Sequence, residues 1–253
     1  MLEMPLDQNQ WGTLQELVCD RLVVGGVVTL LFAGLARGIR GVNLSGALVG
    51  FVISLILYVS AGPGAFVLLV CVFVLTSFAT RLGYRKKQKL GTAEKREGRT
   101  GSQVVANLGV ATVLALLFAI QKNSIYMLAA VAALAEVAAD TVSSEYGQTR
   151  SHNPRLITTW KTVPPGTDGA ISASGTVAGL VAALIVSLVA VGVKVLPVKW
   201  IIITSSAAVS GMFCDSWLGA SLERRRVLNN NAVNFVSTLI AAMVAILMAS
   251  VYG

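Results

Sequence analysis

The chain has 253 residues, of which 55% are hydrophobic and 13% charged, a balance that excludes an ordinary soluble domain and marks a polytopic membrane protein. The formal net charge of +8 would suit a nucleic-acid binder, but Lys and Arg gather between apolar runs, which suits membrane orientation, so no nucleic-acid partner is expected. Cys19, Cys71 and Cys214 are an odd and scattered set and His152 stands alone, which excludes a disulfide framework and a histidine-rich metal site.

In chain order, the N-terminal stretch carries Glu3, Asp7, Glu16 and Asp20 with no positive segment before an apolar core, so a cleaved secretory signal is not expected. Apolar windows of roughly 20 residues, the length that crosses a bilayer as helix, then predict eight spans near 20–37, 43–60, 63–82, 103–121, 124–145, 170–193, 199–222 and 232–252. The expected fold is therefore an all-α membrane bundle. Two polar stretches interrupt it, a basic loop at 83–102 and a candidate active-site loop at 146–169, both too short for an independent core. The whole of 1–253 reads as one integral membrane domain. Sixteen of the 20 Lys and Arg residues fall on the odd-numbered connections, which places those connections in the cytoplasm and both termini on the opposite side. Gly46/Gly50, Gly175/Gly179 and Gly211/Gly219 read as positions of close helix approach.

Carboxylates inside or at the ends of such spans are costly and mark function. Asp140 and Glu145 end span five, in Ala-Asp-Thr-Val-Ser-Ser-Glu at 139–145, and Asp215 lies in Cys-Asp-Ser-Trp-Leu-Gly-Ala at 214–220 near the end of span seven. At about 100° per residue, Glu136, Asp140 and Ser144 form one stripe and Asp215, Gly219 and Glu223 another. Helix C-termini already carry partial negative charge, so facing acidic stripes there call for a cation, and Mg²⁺ prefers such oxygen ligands. Spans four, six and eight start on the same side, and helix N-termini attract phosphate. Their starts read Gly-Arg-Thr-Gly-Ser-Gln-Val-Val-Ala-Asn at 98–107, Pro-Pro-Gly-Thr-Asp-Gly-Ala-Ile-Ser at 164–172 and Asn-Asn-Asn-Ala-Val-Asn at 229–234, rich in glycine, hydroxyl and amide groups. No complete Walker loop, kinase Gly-loop, Ser/His/Asp set or His-Glu-x-x-His helix is present. Phosphoryl transfer, which asks chiefly for positioning, metal and charge neutralisation, is within reach of this inventory.

The ordered series Ala-Asp-Thr-Val-Ser-Ser-Glu-Tyr-Gly at 139–147, Asn-Pro-Arg-Leu-Ile-Thr-Thr at 153–159, Val-Pro-Pro-Gly-Thr-Asp-Gly-Ala-Ile-Ser at 163–172 and Gly-x3-Asp-Ser-x2-Gly-Ala at 211–220 resembles the phytyl-phosphate kinase family of the vitamin E pathway, which also includes transmembrane protein 19. Asn230, Asn234 and Arg81-Leu-Gly extend the resemblance, which spans roughly 75–240. It implies an integral membrane kinase that moves the terminal phosphate of CTP or ATP onto phytyl or geranylgeranyl monophosphate, giving a prenyl diphosphate for tocopherol or related lipids. Its partners would be the prenyl monophosphate, the nucleoside triphosphate and membrane lipid, with a homo-oligomer compatible. Its place would be a bacterial inner or thylakoid-type membrane, or an organellar equivalent, with the site facing the cytoplasm or its counterpart. On physical grounds Asp140, Glu145 and Asp215 are then expected to bind Mg²⁺, with Asp140, Asp215 and Lys161 acting in catalysis. Arg81, Lys87, Arg99, Asn107, Arg155, Thr158, Gly166, Thr167, Ser172, Asn230 and Asn234 are expected to hold substrate or nucleotide phosphates. A prenol kinase, a CTP-dependent lipid cytidylyltransferase and an ion-coupled secondary transporter are the competing readings.

Overall fold

The computed structural model describes residues 8–151 and 153–252. His152, Glu3 and Asp7 lie outside the described residues, as do the side chains of Glu16 and Cys19. Nine helices run through the described residues: α1 (Gln8–Gly38), α2 (Leu44–Ala61), α3 (Pro63–Arg81), α4 (Tyr84–Leu90), α5 (Gly101–Gln121), α6 (Ser124–Arg150), α7 (Ala173–Gly192), α8 (Ile201–Leu218) and α9 (Asn230–Tyr252). All but α4 include a stretch long and apolar enough to cross a membrane, so the eight expected spans each find a helix.

The centre of the bundle is α6. Of its apolar window 72% is buried, against 22–44% for the other seven, and it packs on α3, α5, α7, α8 and α9. Every residue from Met127 to Ala139 is buried, and alanine recurs through this stretch. Short side chains let five neighbours approach one helix, which in a membrane replaces the missing hydrophobic drive with dense van der Waals contact. The tightest approach is to α7. A Cβ added at Gly175 would lie 2.6 Å from the Ser143 carbonyl oxygen, and one at Gly179 would lie 2.8 Å from that of Ala139. Gly211 of α8 serves the same end, since a Cβ there would stand 2.6 Å from Glu136 Cγ. Gly50 does not pack in this way, because nothing lies within 4 Å of where its Cβ would be.

The polar connections are more ordered than expected. The basic loop folds part of itself into α4, capped at each end by a glycine in the left-handed region, Gly83 and Gly91. Helix α6 continues to Arg150, taking the first residues of the expected 146–169 loop. The rest of that loop pairs β1 (Arg155–Leu156) with β2 (Ala170–Ile171), which takes the first residues of the span expected at 170–193, in a small antiparallel hairpin that departs slightly from all-α. Helix α8 ends in a π-turn over Gly219–Glu223, a wide turn of the kind often found at functional sites.

Candidate functional site

Four of the crossing helices bring their C-terminal ends, and four their N-terminal starts, to one end of the bundle. There α6, α8 and the 164–172 segment enclose a polar cavity of about 180 Å³. Asp140 and Ser144 line it from α6, while Asp215, Gly219 and Glu223 line it from α8 and its π-turn. The two expected stripes therefore do face one another. The Asp140 and Asp215 carboxyls share this one cavity. Like charges confined together repel unless a cation or a shared proton stands between them. Ser237 of α9 donates to Asp215 Oδ2 at 3.3 Å. The Asn234 amide lies between two partners: with its nitrogen turned one way it reaches Asp215 Oδ2 at 3.2 Å, and turned the other way it donates to Asn107 Oδ1 at 3.3 Å.

Opposite the acids, the 164–169 turn forms the roof. Gly166 and Gly169 both adopt positive φ, at 87° and 73°. At Gly169 the backbone seats against Ser216 and Ala220, so a side chain there would strike α8. Gly166, Thr167 and Asp168 line the cavity, as do Ser172, which caps α7 by accepting from the Gly175 amide at 3.1 Å, and Asn230 at the start of α9.

Several expected residues stand elsewhere. Glu145 does not line the acidic cavity: five helical steps past Asp140 it faces the other side of α6, where it accepts from Lys87 Nζ at 2.5 Å. Lys87 is fully buried, and its ammonium also donates to the Thr80 and Ala79 carbonyls at 2.6 and 3.2 Å. With its three donors engaged, Lys87 is a structural buttress and not a free phosphate ligand. Lys161, Thr158 and Arg155 lie exposed on the hairpin and outside the cavity, and Arg155 Nη1 donates to the Trp160 carbonyl at 3.3 Å. Arg81 and Arg99 line a second, basic pocket, where Arg81 donates to the Ile39 carbonyl. Asn107 sits deeper, donating to the Gln103 carbonyl at 2.8 Å.

Asp168, Glu223 and Gln148 also line the cavity and were not among the expected ligands. Asp168 was legible, since it sits inside the glycine-bearing Pro-Pro-Gly-Thr-Asp-Gly string at 164–169. Two buried oxygens here have no hydrogen-bond partner among the described residues, Gln148 Oε1 and, one turn below Asp140, Glu136 Oε1. Unpartnered buried acceptors of this kind call for a donor or a cation. Among the described residues no group of three or more His, Cys, Asp and Glu side chains is arranged to hold a metal ion by itself. The donor set instead suits an ion such as Mg²⁺, which is commonly held by one or two carboxylates and completed by substrate phosphates.

An α-helical membrane bundle with a one-sided acidic cavity defines a class of intramembrane site. Within that class, the chain belongs to the integral membrane protein DUF92 family, whose model matches residues 27–242. It is 30% identical to an uncharacterized membrane protein of Methanocaldococcus jannaschii over 239 residues, covering 93% of this chain and 97% of that one. It is also 30% identical to Protein VTE6, chloroplastic, of Arabidopsis thaliana over 255 residues, 97% of this chain and 74% of the relative. Protein PGR of the same plant is 29% identical over 281 residues, 92% of this chain and 97% of its own. No solved structure matches the chain.

Proposed function

We propose that the protein is a membrane kinase that transfers the terminal phosphoryl group of CTP or ATP to a prenyl monophosphate, phytyl or geranylgeranyl phosphate, at the cytoplasmic boundary of the bilayer. The observation that carries this reading is the pairing of Asp140 with Asp215 beneath a glycine turn and the starts of α7 and α9. Acidic oxygens and phosphate-suited amides in one cavity are what a metal–nucleotide complex requires. The kinship with the phytyl-phosphate kinase motifs supports the choice of acceptor.

Asp140 and Asp215 would hold Mg²⁺, which supplies Lewis-acid neutralisation of the nucleotide phosphates. Gly166, Thr167, Ser172 and Asn230, which line the cavity, orient the phosphate chain. In the transfer, the bond from the terminal phosphorus to its bridging oxygen breaks and its electron pair leaves on the nucleoside diphosphate. A new phosphorus–oxygen bond forms to the acceptor's phosphate oxygen. That oxygen is already ionised, so no side chain has to remove a proton. The cavity opens near one end of the bundle, which favours this reading over a transporter with its site at the bilayer midplane.

The test is incubation of the purified chain with Mg²⁺, γ-labelled CTP or ATP, and phytyl monophosphate. Label in a prenyl diphosphate with release of nucleoside diphosphate is the expected result. A CDP-lipid with pyrophosphate release would replace the kinase by a cytidylyltransferase.

A further inference from the structure

Apart from the acidic cavity, one side chain joins two pockets of opposite character. The first is an apolar cavity of about 70 Å³ walled by residues such as Phe32, Gly46, Gly50, Leu69, Val72 and Val104. The second is a basic vestibule of about 430 Å³, where Arg40, Arg81, Lys95 and Arg96 face a single carboxylate, Glu94. Arg99 lines both.

Its position is set by the backbone. Arg99 N donates to the Gly41 carbonyl at 3.2 Å, and the Arg99 carbonyl accepts from Asn43 N at 3.0 Å, so the residue is stitched to the α1–α2 link just ahead of the Thr100 cap of α5. The guanidinium has one hydrogen bond, from Nη1 to Thr76 Oγ1 at 3.3 Å, and no ion pair among the described residues. Among the described residues its other four N–H donors have no partner. Burial pulls its pKa down, and the charges of Glu94, Glu145 and Asp140 act against that shift. Glu94 is itself engaged by Gln103 Nε2 at 3.3 Å and by Lys95 N at 3.1 Å. In the vestibule wall, Thr80 Oγ1 is buried with no partner.

We propose that these two pockets are one site for a single-tailed lipid phosphate monoester, with its phosphate on Arg99 and Arg81 in the vestibule and its head-proximal carbons in the apolar cavity. This rests on the phosphoryl-transfer reading and deepens it: the acceptor is held beside the nucleotide cavity, with Arg99 within electrostatic reach of Asp140. At about 10–15 Å³ of cavity per water, the apolar pocket holds on the order of five such molecules' worth, enough for roughly one isoprene unit. The remainder of a long tail runs out into the bilayer. A larger groove between α3 and α7, lined by Phe78, Val142 and Val181, has no cation on its wall and gives a phosphate no reason to choose it.

The site is tested by binding in neutral-lipid nanodiscs without nucleotide, so that failure of the kinase chemistry cannot imitate failure of the site. The probes are phytyl monophosphate and ethyl phosphate. Gly50→Leu puts its side chain where no atom lies within 4 Å, into the cavity. It is expected to weaken phytyl monophosphate at least tenfold while ethyl phosphate binds as before. Arg99→Gln is expected to weaken both probes, and Gly50→Leu to change Mg²⁺–nucleotide affinity less than about threefold. Unchanged phytyl monophosphate affinity in both variants overturns the proposal. So does two-tailed phosphatidate competing as well as the single-tailed probe, which would make this a phospholipid site.

Discussion

Asp140 and Glu145 stand five residues apart on one helix, and five steps of about 100° turn the second well away from the first. That rotation separates their roles. Asp140 meets Asp215 across the cavity, while Glu145 meets the buried ammonium of Lys87. Asp140→Asn or Asp215→Asn should lower turnover on the order of 10²-fold or more, because each removes part of a charge clamp worth several kcal/mol. Unchanged melting and gel-filtration profiles would assign the loss to chemistry. Lys87→Met should act on stability instead, by about 3–5 kcal/mol, since it leaves the Glu145 carboxylate with no cation in a half-buried site. The double variant Lys87→Met/Glu145→Leu should recover much of that loss in thermal unfolding. Lys161 is exposed and away from the cavity, so Lys161→Ala is expected to change turnover less than about threefold, measured beside the aspartate variants.

Among the helices, α6 explains why the site is stiff. Its alanine-rich stretch is buried on all sides, and α7 lies against it through Gly175 and Gly179. Gly179→Leu should drive the two apart, costing about 1–3 kcal/mol as overpacking and lowering the midpoint of thermal unfolding. Turnover should fall with it, because Ser172 and the roof turn sit at the start of α7. Gly50→Leu, by contrast, should leave the melting midpoint in place, as its neighbourhood is open. Glycine spacing alone treats these positions alike. What differs is whether a neighbouring backbone passes within contact, and only the packed bundle shows that.

At the scale of the molecule, two separate polar compartments share one end of the bundle, one acidic and one basic. The distribution of Lys and Arg supports a cytoplasmic position for that end. In a cysteine-free background, Arg225→Cys should react with an impermeant maleimide only from the cytoplasmic side, and Lys122→Cys only from the other. Labelling of both from one side would reverse the topology argument. Eight spans and their order were readable from hydropathy, because a bilayer demands about 20 apolar residues per crossing whatever the fold. The two stripes that carry Asp140 and Asp215 were readable, since each lies at helical spacing with its cavity-lining neighbours, Ser144 and Glu223, while their meeting depends on the packing of α6 against α8.

The amino-acid sequence by itself determined the membrane class, the number of crossings, and the acidic, glycine and amide strings that meet at one end. Each follows from local rules of hydropathy and helical period. The tertiary structure alone decided which of the candidate residues share a cavity. It withdrew Glu145 and Lys87 into a buried pair, left Lys161 on an exposed hairpin, and set Arg99 between a basic vestibule and an apolar cavity. The physical reason is that rotation about a helix axis and the closeness of neighbouring backbones govern these meetings, and both depend on contacts between segments far apart in the chain.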